Sequence, residues 1–239
     1  MTPRRQSLIF RALRLLWRLA SDRSYRNIMW LYWMRPKAAF QPVNDTRPDR
    51  YPAIFGFVQA ALDARPVSGG PIAILSFGCS TGEEVFTLRR YFPAARIKGL
   101  DINPANIAIC EQRLAERGDS RIAFARAEST RGEADGAYDA VFCMAVLRHG
   151  SLGDPNITRC DHLLRFEDFE NAVADFSRCL RSGGLLAMAH SNFRLNDTRT
   201  STDFETVMRM KSRVPLFGAD NRRLPDAAGA VDVVFRKLR

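Results

Sequence analysis

Apolar residues gather in six short runs, at 72–77, 97–101, 121–126, 138–143, 185–189 and 231–235. Each is brief and rich in branched or aromatic side chains, as a buried strand requires. Between the runs the apolar spacing lengthens to three and four. Tyr51, Ile54, Phe55, Val58 and Leu62 fall on one helical face, and so do Ile107, Cys110 and Leu114. Phe166, Phe169, Val173, Phe176 and Leu180 repeat that step, with Gly183 and Gly184 expected to end the helix. Asn103 can cap the helix that Pro104 opens, and Gly118 can close it. Residues 203–211 read as a further helix. Strands alternating with helices predict a three-layer α/β/α domain built on a mostly parallel sheet. The run at 231–235 is expected to be an antiparallel last strand.

The pattern changes ahead of residue 51. Over residues 4–20, Arg4, Arg11, Arg14 and Arg18 share one narrow helical face, while Leu8, Ile9, Leu13, Leu16 and Trp17 spread over the other. No acid appears before Asp22. Such a helix suits a membrane surface or a partner, and equally a packing element on its own domain or a second subunit. An Arg-rich, acid-poor start also fits a mitochondrial transit peptide. Arginines interrupt every apolar stretch, which excludes a transmembrane span. Residues 25–42 are aromatic, with Tyr25, Trp30, Tyr32, Trp33 and Phe40, and residues 41–50 form a polar linker. The expected division is therefore a helical arm at 1–50 and a domain at 51–239.

Charge supports the same division. The 239 residues carry a net charge of +10. Eleven Arg or Lys and three Asp lie in residues 1–50, so the arm holds +8 and the remainder only +2. Nucleic-acid binding by the domain is thereby disfavoured. Five scattered cysteines form no C-x-x-C pair, which fits a reducing compartment and argues against a zinc site. The three histidines show no metal-ligand spacing.

Candidate chemistry concentrates in residues 72–103. A strand breaks at Gly78-Cys-Ser-Thr-Gly82, a helix opens at Glu83, and a second strand ends in Asp101. Glycine lets the backbone turn sharply and approach a ligand closely. An acid ending the second strand is placed to hold a ribose hydroxyl pair. Ser80 occupies the position where a dinucleotide loop has its middle glycine, and no Gly-Lys-Ser/Thr follows. A ligand with ribose and adenine but no phosphate fits better.

The stretch resembles motif I and its acidic partner in class I S-adenosylmethionine (SAM) methyltransferases. The run Phe77-Gly-Cys-Ser-Thr-Gly-Glu-Glu84 is similar to the chemotaxis-receptor methyltransferases and their relatives. The segment at 144–149 and the phrase FSRCLRSGGLLAMAH also resemble family segments. Ser76 departs from the acid that many members carry there. The resemblance implies a Rossmann-like fold, SAM as cofactor and S-adenosylhomocysteine as product. It implies cofactor contacts at Phe77, Gly78, Cys79, Ser80, Gly82, Glu83, Asp101, Ile102, Ala127, Glu128 and Met144. Glu83 would reach the methionine amine, and Glu128 the adenine amino group. His149 is the candidate general base, needed only for a hydroxyl or protonated amine acceptor. Family members often cover the cofactor with an N-terminal segment, which makes Tyr25, Tyr32 and Trp33 candidate acceptor contacts. The expected activity is O- or N-methylation of a small-molecule or lipid-like acceptor in the cytoplasm, with membrane association through the arm. Methylation of protein or RNA through arm docking, and SAM binding without turnover, stand as alternatives. No metal is implied.

Overall fold

The computed structural model describes residues 8–34, 40, 46–65, 70–225 and 229–238. Five parallel strands form the centre of the sheet: β1 (Ala73–Phe77), β2 (Arg96–Asp101), β3 (Ile122–Arg126), β4 (Tyr138–Met144) and β5 (Leu180–Ala189). β6 (Phe204–Lys211) and β7 (Ala230–Lys237) close one edge, giving the order β3-β2-β1-β4-β5-β7-β6. β7 runs antiparallel to both β5 and β6.

Helices cover both faces. α3 (Pro52–Asp63), α4 (Glu83–Tyr91) and α5 (Pro104–Arg117) bury Ile54, Phe55, Val85, Leu88 and Ile107 against one face. α6 (Phe166–Cys179) buries Phe169, Val173 and Phe176 against the other. β1 is buried along its whole length, as a central strand between two helical layers must be. Asn103 caps α5 by accepting from the Ala105 amide at 3.0 Å, and Gly118 ends it in a left-handed conformation. All five cysteines are buried and unpaired with one another.

Two expectations are corrected. Residues 203–211 form strand β6, not a helix. Phe204, Val207, Met208 and Met210 step at three, one and two, because the β6–β7 register shifts between Thr206 and Met208 and again to Arg209. Bulges break the period of two and mimic helical spacing. The Gly183-Gly184 pair does not end α6, which stops at Cys179. The glycines lie within β5, where its pairing with β4 jumps from Tyr138–Leu180 to Ala140–Leu185. A Cβ on Gly184 would stand 2.7 Å from the Arg181 carbonyl oxygen, so only glycine fits that fold-back.

α1 (Leu8–Ser21) packs on α2 (Arg23–Met34), which leans on α5. Leu13, Leu16 and Trp17 are 59%, 62% and 69% exposed. At these three positions the apolar face is open rather than packed on the domain; the side chains of Leu8 and Ile9 lie outside the described residues. Arg4 and the side chain of Arg11 lie outside the described residues. Among the described residues no helix is long and apolar enough to cross a membrane.

Candidate functional site

β1 ends at Phe77 and the chain turns at once. Gly78, Ser80 and Gly82 have φ of 73°, 50° and 90°. The amides of Gly78 and Cys79 both donate to the Leu100 carbonyl, which fastens the turn to the end of β2. A Cβ on Gly78 would meet Val146 Cγ2 at 2.4 Å. Glycine is needed there both for its conformation and for the segment after β4 to close over it.

Asp101 stands beside this turn and is 7% exposed. Its Oδ2 accepts from the Ser80 amide at 2.8 Å. Its Oδ1 accepts from the Asn103 amide at 2.8 Å and from Asn106 Nδ2 at 3.1 Å. Desolvation raises its pKa above the usual carboxylate value, and these hydrogen bonds pull it back.

A cavity of about 280 Å³ opens at the carboxyl edge of the sheet, over the turn. Phe77, Gly78, Cys79, Ser80, Asp101, Ile102, Ala127, Glu128 and Met144, all among the candidate cofactor contacts, line it together. Gly82 is buried beneath the turn and does not reach the lining. Ligands of open α/β sheets bind at this edge. Ser80 Oγ is buried there without a hydrogen-bond partner among the described residues.

Glu83 does not face the cavity. It pairs with Arg113 Nη1 at 2.7 Å on the outer side of α4. Glu84 lines the cavity instead, and its Oε1 accepts from Ser76 Oγ at 2.8 Å. Thus a carboxylate from the helix sits beside Ser76, where the sequence lacks an acid. Desolvation pushes Glu84 up to about 7, opposed by the Ser76 hydrogen bond and the charge of Arg50. The phase of α4 carries the missed signal, because Glu84 lies one turn before the buried Leu88.

His149 is also displaced from its expected role. Its neighbours Arg148 and Gly150 line the cavity, but its own side chain does not. The His149 amide donates to Asn192 Oδ1 at 2.8 Å, and its Nδ1 accepts from the Ser151 amide. Asn192, 1% exposed, also donates to the Pro215 carbonyl through Nδ2 and to the Leu147 carbonyl through its amide. This knot holds the loop at 145–149 in place, and Ala145 takes a φ of 59° to enter it. Tyr25 and Trp33 do not line the cavity, and the Tyr32 side chain lies outside the described residues. The sequence reading missed the pair formed by Tyr51, on the cavity wall, and His190 Nδ1, 3.0 Å from its hydroxyl. Desolvation, with Arg50 and Arg148 nearby, keeps His190 below the usual histidine pKa and favours the neutral ring.

Residues 75–188 match the family model described as a methyltransferase domain. A trans-aconitate 2-methyltransferase of Deinococcus radiodurans is 27% identical over 191 residues, which cover 74% of this chain and 63% of that one. A ubiquinone biosynthesis O-methyltransferase of Burkholderia orbicola is 27% identical over 134 residues, 56% of this chain and 53% of that one. The chain thus spans less than two thirds of either relative. A solved phosphoethanolamine N-methyltransferase 2 of Haemonchus contortus, in complex with SAM, gives a TM-score of 0.43 at 16% identity, covering 72% of this chain and 34% of that one. The turn at 78–82, Asp101 and Met144 all lie inside the span that matches the methyltransferase-domain model, which takes in just under half of the chain.

Proposed function

We propose that the protein transfers a methyl group from SAM to a small-molecule acceptor. The observation that carries this reading is the convergence of the glycine turn, the Asp101 carboxylate and the Glu84 carboxylate on one cavity. The residues suit the cofactor. Asp101 keeps lone pairs for ribose hydroxyls beyond its three hydrogen bonds. Ser80 Oγ awaits a polar partner. Glu84 can receive the methionine ammonium. Ala127 and Glu128 would flank adenine.

When bound, SAM supplies a methyl group on sulfonium: an acceptor lone pair forms the new bond to carbon, and the carbon–sulfur pair returns to sulfur. The chain's part is to hold two reactants in line and keep water out. Such positioning lowers a barrier by about 7–11 kcal/mol. For a hydroxyl acceptor, the Tyr51 hydroxyl on the cavity wall relays the proton to the neutral His190 imidazole behind it; the His190 ring, like that of His149, does not itself line the cavity.

Residues 51–239 serve as the catalytic unit in this reading, and residues 1–50 as an arm. Both relatives are named for small-molecule methylation, which favours that acceptor class over protein or RNA. The likeness of residues 77–84 to chemotaxis-receptor methyltransferases enters as a cofactor motif and does not extend to their substrate.

Calorimetric titration with S-adenosylhomocysteine tests the reading. Asp101→Asn keeps the side chain's shape and removes its charge. Loss of hydrogen bonds to a charged group should weaken binding about ten- to a hundredfold. A melting curve alongside separates this from loss of fold, since Asp101 also braces Ser80, Asn103 and Asn106. Unchanged affinity in a folded variant removes Asp101 from the site.

A further inference from the structure

The cavity runs along the carboxyl edge of the sheet, and its two ends differ. Asp101, Ala127 and Glu128 mark the end over β2 and β3. Gly78 marks the middle, over β1. Beyond it, Arg148 follows β4, and Phe40, Arg50 and Tyr51, from ahead of α3, complete the lining. A SAM molecule placed with ribose on Asp101 and its methionine portion over Gly78 fills the first two parts. The third part is left for the acceptor.

Arg148 dominates that third part. It is half-buried, it lines the cavity, and its Nε is buried with no hydrogen-bond partner among the described residues. A guanidinium carries five donors in a rigid fork that matches carboxylate and phosphate oxygens. Leaving such a donor unmet in a partly desolvated wall is costly unless a ligand meets it. The loop bearing Arg148 is not free to carry it away. Val146 sits against Gly78, Leu147 and His149 are tied to Asn192, and Asn192 is tied to Pro215. Arg50, on the same wall, adds positive charge, and both arginines act on His190. Glu84, which feels the charge of Arg50, is held by Ser76 and is suited to the methionine ammonium.

We propose that the acceptor carries an oxyanion, a carboxylate or a phosphate, and that Arg148 binds it at the β4 end of the cavity. This rests on the reading of the rest of the cavity as a SAM site. A half-buried guanidinium whose Nε is unmet favours an oxyanion that its fork can bind bidentately over a neutral or cationic acceptor. It sets substrate class by leaving Arg148 unpaired when the wrong compound binds.

The test uses the full chain saturated with S-adenosylhomocysteine. Citrate and inorganic phosphate are titrated in separate calorimetric experiments at constant ionic strength, with glycerol as the neutral control. At least one anion should bind while glycerol does not, and which one binds tells a carboxylate from a phosphate acceptor. Arg148→Gln should weaken that binding about ten- to a hundredfold, and Arg148→Lys should recover part of it, since charge is kept and the fork is lost. S-adenosylhomocysteine affinity should stay within about twofold in both variants, and melting curves should confirm that both are folded. The inference is overturned if neither anion binds the loaded wild-type chain, or if Arg148→Gln binds the anion as well as wild type does. It is also overturned if Arg148→Gln loses S-adenosylhomocysteine, which would make Arg148 a cofactor residue. Failure of the wild-type chain to bind S-adenosylhomocysteine at all would instead defeat the methyltransferase reading.

Discussion

Glu84 is the residue whose surroundings make the sharpest demand. Burial lifts it from 4.5 to about 7, so between those pH values the folded protein holds a proton there that the unfolded chain has lost. The sign follows directly. Its contribution to folding stability is full below about 4.5 and is lost as pH rises toward about 7. Ligand binding runs the other way. A methionine ammonium needs the ionised form, so below pH 7 the carboxyl must shed its proton before pairing. S-adenosylhomocysteine affinity should then fall as pH drops below about 7, by up to about tenfold per unit. Glu84→Gln should bind more weakly at pH 8 and show a flatter profile, by calorimetry across pH 5.5–8. A profile as steep as wild type would assign the proton elsewhere. At this scale the sequence was legible where backbone chemistry decides the residue. Gly78 and Asp101 are fixed by a turn and a strand end. It was opaque where helix phase decides, as with Glu83 and Glu84, neighbours that point to opposite sides of α4.

Elements were legible wherever their period was clean. α5 shows its cap, its proline and its closing glycine in the sequence, and β1 reads as a short apolar run. β6 was not legible because two register shifts erase its alternation. The pairing of Tyr51 with His190 was not legible either, since 139 residues separate the partners. The same holds for the knot at Asn192, which joins the loop after β4 to the one after β5. Asn192→Ala should remove the hydrogen bonds to the His149 amide and the Pro215 carbonyl and leave both groups unmet. The expected cost is about 1–3 kcal/mol, and the melting temperature should fall by roughly 2–4 °C per kcal/mol. Turnover should fall with it, because Arg148 loses its brace. A variant that melts with wild type would show that the loop stands without Asn192.

Across the whole molecule, the most conspicuous feature is the apolar face of α1. Leu13, Leu16 and Trp17 remain open to solvent beside the exposed Arg14 and Arg18. Burial of such a face in an anionic lipid surface gains both apolar contact and charge attraction. We propose that this face docks on anionic lipid: the wild-type chain should then float with vesicles containing it, and Leu16→Ser with Trp17→Ser should abolish that flotation. It should leave stability within about 0.5 kcal/mol, as expected for surface positions. A large drop in melting temperature would mean that the face is covered by protein instead. The basic, amphipathic character of this segment was readable from sequence, but which surface it covers was not, because amphipathicity names a face and never its occupant.

The five cysteines carry a consequence for how the protein ages. All are buried. Burial raises the thiols of Cys160 to about 12 and Cys179 to about 11. In the native molecule those two thiols therefore offer oxidants almost no thiolate. Disulfide-linked aggregates of this protein would record an earlier opening of the sheet, and a reducing agent added afterwards would dissolve the link without undoing its cause.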